Sequence, residues 1–164
     1  MALSKTTIYM YPLEKKKIIK KTIAAYIIYL FLLIIIVPLN IFLWNIYYKI
    51  LLVVDFIYVL LFVIQPIYQT YYYKKYFYDV RLDFLAIKKG VIMIRETILN
   101  YDKIQDVYMD QDLLDRIFSL WDVHVSTATM MSGVEAHIDG VNHDNALAIR
   151  ELILSKIRKG KSAK

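Results

Sequence analysis

Asp55 is the carboxylate in this chain with the most unusual surroundings. It lies in the run Ile50 to Ile67, which is otherwise broken only by Gln65 and Pro66. Within hydrocarbon, such a group either handles protons or ions, or is held by a polar neighbour. A conduction path needs several polar residues at mid-depth, and this run offers one. Asp55 is therefore read as a packing or near-interface residue bonded to Asn40 or Asn45. The three histidines are His124, His137 and His143. If residues 121–129 and 134–141 pair as strands, His124 and His137 share a polar face with Glu135 and Asp139. That is a conceivable His/His/carboxylate set. No short His spacing supports it, so no metal is assigned and the face is read as solvated.

Other chemistries are closed off by residue type. Cysteine is absent, which excludes disulfides, thiolate metal sites, Fe–S clusters and Cys nucleophiles. No nucleophile elbow, P-loop, dinucleotide fingerprint or zinc signature appears, so no catalytic residue, enzyme activity or cofactor is expected. Residues 102–144 hold nine acids against Lys103 and Arg116. They contain no calcium loop of the helix–loop–helix type. Arg116 is spaced to pair with Asp112 at i, i+4. The formal charge of +6 comes from lysines at Lys15, Lys16, Lys17, Lys20, Lys21, Lys74 and Lys75. From Tyr76 onward there are 12 bases and 13 acids, which argues against nucleic acid.

Those lysines flank the elements that give the chain its character. Hydrophobic residues make up 59% of the 164, with a mean hydropathy of +0.43. The excess is concentrated between Ile23 and Tyr73. Ile23 to Leu39 is an unbroken apolar run of 17 residues, and Ile50 to Ile67 forms a second. Each approaches the ~20 residues that span ~30 Å of hydrocarbon. The spacing predicts two transmembrane helices in a tight antiparallel hairpin over 23–73, connected by Asn40 to Lys49. Six lysines precede the first run, and Lys74, Lys75 and Arg81 follow the second, whereas the connection carries only Lys49. This bias predicts both termini in the cytoplasm of a multi-pass plasma-membrane protein. Trp44, Tyr47 and Tyr48 mark one interface and Tyr68, Tyr71, Tyr72 and Tyr73 the other. Residues 1–22 read as a cytoplasmic basic leader rather than a cleavable signal. Its lysines fix topology and, with Lys74 and Lys75, are candidates for contact with anionic headgroups.

Beyond Tyr73 the pattern becomes that of a cytoplasmic domain over 74–160, with a basic tail at 161–164. Tyr76, Tyr78, Val80, Leu82 and Phe84 alternate with polar residues as one strand. Lys88-Lys89-Gly90 reads as a turn and Val91 to Leu99 as the returning strand. Ile104 to Met109 is a third strand and Asp112 to Leu120 a short helix. Two further strands follow, joined by a turn at Met131-Ser132-Gly133. Asn142 or Asp144 caps a final helix with an apolar stripe of Ala146, Ile149, Leu152, Ile153 and Ile157.

An antiparallel sheet or partly open barrel closed by a C-terminal helix is the pleckstrin-homology (PH) architecture. Ile104-Gln105-Asp106-Val107, then Gln111, Leu114, Arg116, Leu120, Val123, Val125 and Thr127-Ala128, resemble bacterial PH-like domains of the membrane-flanked, YdbS-like type. The resemblance covers roughly residues 20–157. It departs at Ser119, where a Gly is common, and at Leu99-Asn100-Tyr101, where a Pro is common. It implies a transmembrane hairpin ahead of an α+β PH-like domain, and no common activity. The expected function is a membrane-anchored interaction or scaffold module that binds a protein partner or a second copy of itself. The alternative is a subunit or regulator of a small transport or envelope-stress complex.

Overall fold

A computed structural model describes residues 6–127 and 136–162. A short helix α1, Thr7–Met10, precedes the long helix α2, Lys16–Lys75. The helix is interrupted within the expected connection, where Tyr47 leaves helical geometry at φ −123° and ψ 22° and separates two helical arms. The ring of Tyr26 stacks on Phe62 at 4.2 Å, and the Tyr58 hydroxyl donates to the Tyr29 carbonyl at 3.0 Å. A straight helix would hold Tyr26 and Phe62 about 54 Å apart, so α2 folds back on itself at Tyr47. By length and composition it is apolar enough to cross a membrane. Many of its large apolar side chains face outward, with Phe42 at 88% and Ile41 at 78% exposure.

Two three-stranded antiparallel sheets follow. One contains β1 (Phe77–Val80), β2 (Phe84–Lys89) and β3 (Arg95–Asn100). The other contains β4 (Ile104–Asp110), β5 (Trp121–Thr127) and β6 (Ala136–Val141). A 3-10 turn, Tyr101–Lys103, joins the sheets, and helix α3 (Leu113–Phe118) lies between β4 and β5. Helix α4, His143–Ser162, closes the domain. Asn142 caps it, its side-chain oxygen accepting from the Asn145 N–H at 2.8 Å. Ala146, Ile149 and Ile153 are fully buried against Val107, Val123, Val125 and Ile138 of the core. The apolar stripe therefore packs as its period requires.

The strand pattern differs from expectation in two places. The strand expected over residues 76–84 is two strands, because the chain reverses at Arg81-Leu82-Asp83. Val80 pairs with Leu85, and the Tyr101 hydroxyl donates to the carbonyls of both Arg81 and Phe84. This long-range clasp closes a turn that contains no Gly or Pro. Lys88 and Lys89 belong to β2, and the following turn is 90–94, so Val91 to Ile94 are loop rather than strand. Gly90 takes φ +115° there. The expected turn at Met131-Ser132-Gly133, with Val134 and Glu135, lies outside the described residues.

Residues 6–22 pack on the sheets rather than standing free as a leader. The Thr7 N–H and hydroxyl both donate to Asp79 Oδ1, at 3.0 and 3.1 Å. The Tyr78 hydroxyl donates to the Tyr11 carbonyl. The Glu14 N–H donates to the Gly140 carbonyl at 2.8 Å.

Candidate functional site: the charged junction between the helical hairpin and the sheets

Lys17, Lys20 and Lys21 fall on one helical face at i, i+3 and i+4, at the base of the first arm of α2. That face lies on β6 and α3. Lys17 is only 2% exposed, and its ammonium donates to both the carbonyl and Oδ1 of Asp139 at 2.9 Å. The ring of Tyr76, the first residue after the second arm, stands 3.7 Å from the same ammonium. Lys21 reaches the other oxygen of Asp139 at 3.5 Å. One carboxylate on β6 thus holds two cations of the first arm, beside an aromatic ring that ends the second.

Lys20 makes the companion contact. It bonds Asp115 Oδ2 at 2.5 Å and Asp112 Oδ2 at 2.9 Å. The two acids also form the capping box of α3: Asp112 accepts from the Asp115 N–H at 2.7 Å, and the Asp112 N–H donates back at 3.2 Å. Asp112 is therefore the cap and the partner of Lys20, not of Arg116 as its spacing suggested.

Gly140 permits the close approach. Its φ is +79°, and a Cβ there would stand 2.7–2.9 Å from the Lys17 side chain. Its N–H donates to Asp122 Oδ1 at 2.7 Å. Only a residue without a side chain lets the arm lie on β6 at this point.

The charges respond to burial and to each other. Burial would raise the Asp139 carboxyl, but Lys17 and Lys21 outweigh it and hold the group well below the usual carboxylate range. Burial pulls Lys17 below its ordinary value against the attraction of Asp139. Burial also pulls on Lys20, but its bonds to Asp115 and Asp112 prevail and raise it. Asp122 is pushed up to about 6, first by burial and then by the charges of Asp139 and Asp115.

Several expected sites land elsewhere. Lys17 and Lys20 are corrected as headgroup contacts, because their ammonium groups are enclosed by protein carboxylates. Lys21 is half-buried and paired. Lys15, Lys16, Lys74 and Lys75 are exposed, and the last two border a groove of about 380 Å³ beside α1. Asp55 accepts a hydrogen bond from the Asn40 amide at 3.0 Å, across the two arms of α2. His124 and His137 are direct cross-strand partners with rings stacked at 5.4 Å. Asp139 does not join them, since it turns to Lys17. Among the described residues, Asp110, Asp122 and His124 have ligand atoms within 4.8 Å of one another. His124 Nε2 bonds Asp110 at 3.1 Å, and Asp122 Oδ1 accepts from the Gly140 N–H at 2.7 Å.

Sequence reasoning missed Asp139, Asp115 and Gly140. The available signal was a one-faced lysine triplet set against a domain with surplus acid. The junction fixes the two sheets against the base of the hairpin.

A family model described as bacterial PH domain matches residues 18–157, from the first turn of α2 to the last turns of α4. No curated protein and no solved structure matches the chain.

Proposed function

From the premise that this chain belongs to the bacterial PH domain family, we propose that it is a membrane-anchored interaction module. In this reading both arms of α2 cross the plasma membrane, and the PH-like domain stands at the cytoplasmic face. There a sheet edge or end loop binds a protein partner or a second copy of the chain. Membership of this family supports an interaction or scaffold role. The observation that carries the anchoring is the junction. A helical hairpin with an outward apolar surface joins the domain through buried ion pairs at Lys17 and Lys20. A domain so joined cannot tumble freely, and whatever it binds is recruited at a fixed height and orientation. The lysines flanking both arms lie on one side, which supports cytoplasmic termini. Asp55 belongs to hairpin packing, since its partner Asn40 comes from the opposite arm.

Because the chain has no cysteine, single thiols report topology cleanly. Asn45→Cys should react with a membrane-impermeant thiol reagent in intact cells, while Ser162→Cys should react only after permeabilisation. Labelling of Ser162→Cys in sealed cells overturns the orientation. Release of the chain from membranes at alkaline pH overturns the anchoring. Reciprocal co-purification from membranes in mild detergent, with a tagged and an untagged copy, tests self-assembly against recruitment of a different protein.

A further inference from the structure

The 90–94 loop between β2 and β3 exposes an apolar tip. Ile92 is 86% exposed, Met93 85% and Ile94 59%. The loop is closed tightly, since a Cβ on Gly90 would stand 1.9 Å from the Met93 carbonyl oxygen. The tip is therefore presented in one shape. Its place in the fold is set by register. Lys88 pairs with Phe77, two residues beyond the end of α2, so the loop leaves the sheet alongside that helix end. The Lys89 ammonium lies 3.4 Å from His137 Nδ1 and feels the charges of Asp139, Lys21 and Arg95. Lys21 stands two residues, about 3 Å along the axis, before the unbroken apolar run begins at Ile23. The tip thus emerges near the level where the hairpin becomes wholly apolar. Exposed Lys88 and Arg95 flank it with Lys89, and Glu96 stands opposite Lys88 one step further from the tip.

We propose that residues 91–94 dip into the headgroup–acyl boundary of the bilayer, with Lys88 and Arg95 resting on anionic lipid phosphates. This rests on the reading that α2 crosses that bilayer. The bilayer is the occupant for two reasons: the tip continues the outward apolar surface of the hairpin, and its flanking charges are complementary to anionic headgroups. Large apolar side chains grouped at one tip and rimmed by bases are the composition of an interfacial insertion, whereas single exposed apolar residues need no partner. Leu82, 79% exposed at the opposite end of the first sheet, is such a single residue. The tip would act as a further anchoring point and stop the domain from rocking about the hairpin base.

The test uses the full chain reconstituted in vesicles of phosphatidylcholine and phosphatidylglycerol. Met93→Cys, Leu82→Cys and Val53→Cys each carry one environment-sensitive fluorophore. Lipids spin-labelled high on the acyl chain act as quenchers. The proposal expects blue-shifted emission at position 93, with quenching several-fold above that at position 82 and clear quenching at position 53 in the hairpin. If position 53 is quenched while position 93 behaves like position 82, the inference fails and the membrane reading stands. If position 53 is not quenched, the membrane reading fails and takes this inference with it. Blue-shifted emission at position 93 without lipid quenching assigns the tip to a protein surface and also overturns the proposal.

Discussion

Individual residues here act mainly through the space and charge they leave to others. Ser119 ends α3 in the left-handed region at φ 55°, and its N–H closes back on Arg116. A side chain there costs about 1 kcal/mol or more relative to glycine. Ser119→Gly should therefore raise the thermal transition of the full chain in detergent, by roughly 1 kcal/mol in stability. Asp122 gives a pH signature. Its carboxyl is raised from 3.8 to about 6, so its contribution favours the fold below the ordinary carboxylate range and is lost as pH rises through about 6. Asp139 is depressed, so its contribution is present above the ordinary range and lost as pH falls through it. Together they put the greatest stability where these windows meet, at about pH 4. The Asp122 contribution has a ceiling of roughly 3 kcal/mol for a shift of about two units. Asp122→Asn keeps the acceptor for the Gly140 N–H and should flatten stability between about pH 4 and 6. Thermal melts across that range check this, and an unchanged slope would assign the titration to another group.

Elements are joined here by few but enclosed contacts, so their failure should be cooperative. Lys17→Met removes the cation from a buried pair and leaves Asp139, among the described residues, with Lys21 at 3.5 Å as its remaining lysine. Breaking one side of such a pair costs about 3–5 kcal/mol. Lys17→Met combined with Asp139→Asn should recover much of that loss, because the stranded charge is gone. A double variant no better than the single one would show that the cation on the Tyr76 ring, not the ion pair, holds the arm. On α4, Ile153 is fully buried at the centre of the stripe. Ile153→Asp should abolish the folded domain within the full chain, since an unpaired charge in this core costs more than the few kcal/mol a domain of this size holds. Lys159→Ala, on the exposed side, should be nearly silent. Limited proteolysis of the two variants in detergent distinguishes these outcomes.

At the scale of the whole molecule, the PH-like unit is assembled from both sides of the hairpin. Thr7 caps Asp79, Tyr11 receives Tyr78, and Lys17 fills the space over Gly140. A fragment beginning at Tyr76 lacks all three, leaving Asp139 buried without either lysine and Asp79 with Arg81 but without Thr7. It should fail to melt cooperatively. A chain in which residues 24–70 are replaced by a flexible Gly/Ser linker keeps α1, the lysine triplet and both sheets. It should be soluble and melt in one transition. Equal stability for the two constructions would mean that residues 6–22 are ornamental to the fold.

Hydropathy, charge bias and period are local properties, and what depends on them was legible from the sequence. The two apolar runs of the long helical segment, the stripe of α4 and the pairing of His124 with His137 all follow from spacing along one stretch of chain. The Gly-like position at Ser119 was also visible as a departure from its relatives' pattern. What the sequence could not decide were contacts between residues far apart in the chain. Period two continues through Leu82, yet the chain turns there because Tyr101 clasps the carbonyls of Arg81 and Phe84. Lys17 and Lys20 carry the same composition signal as Lys15 and Lys16, yet two are enclosed and two are exposed. That difference depends on whether a carboxylate from β6 or α3, over a hundred residues later for Asp139, arrives against one helical face. An ammonium group is placed by where its counter-charge sits in space, and only the tertiary structure supplies that position.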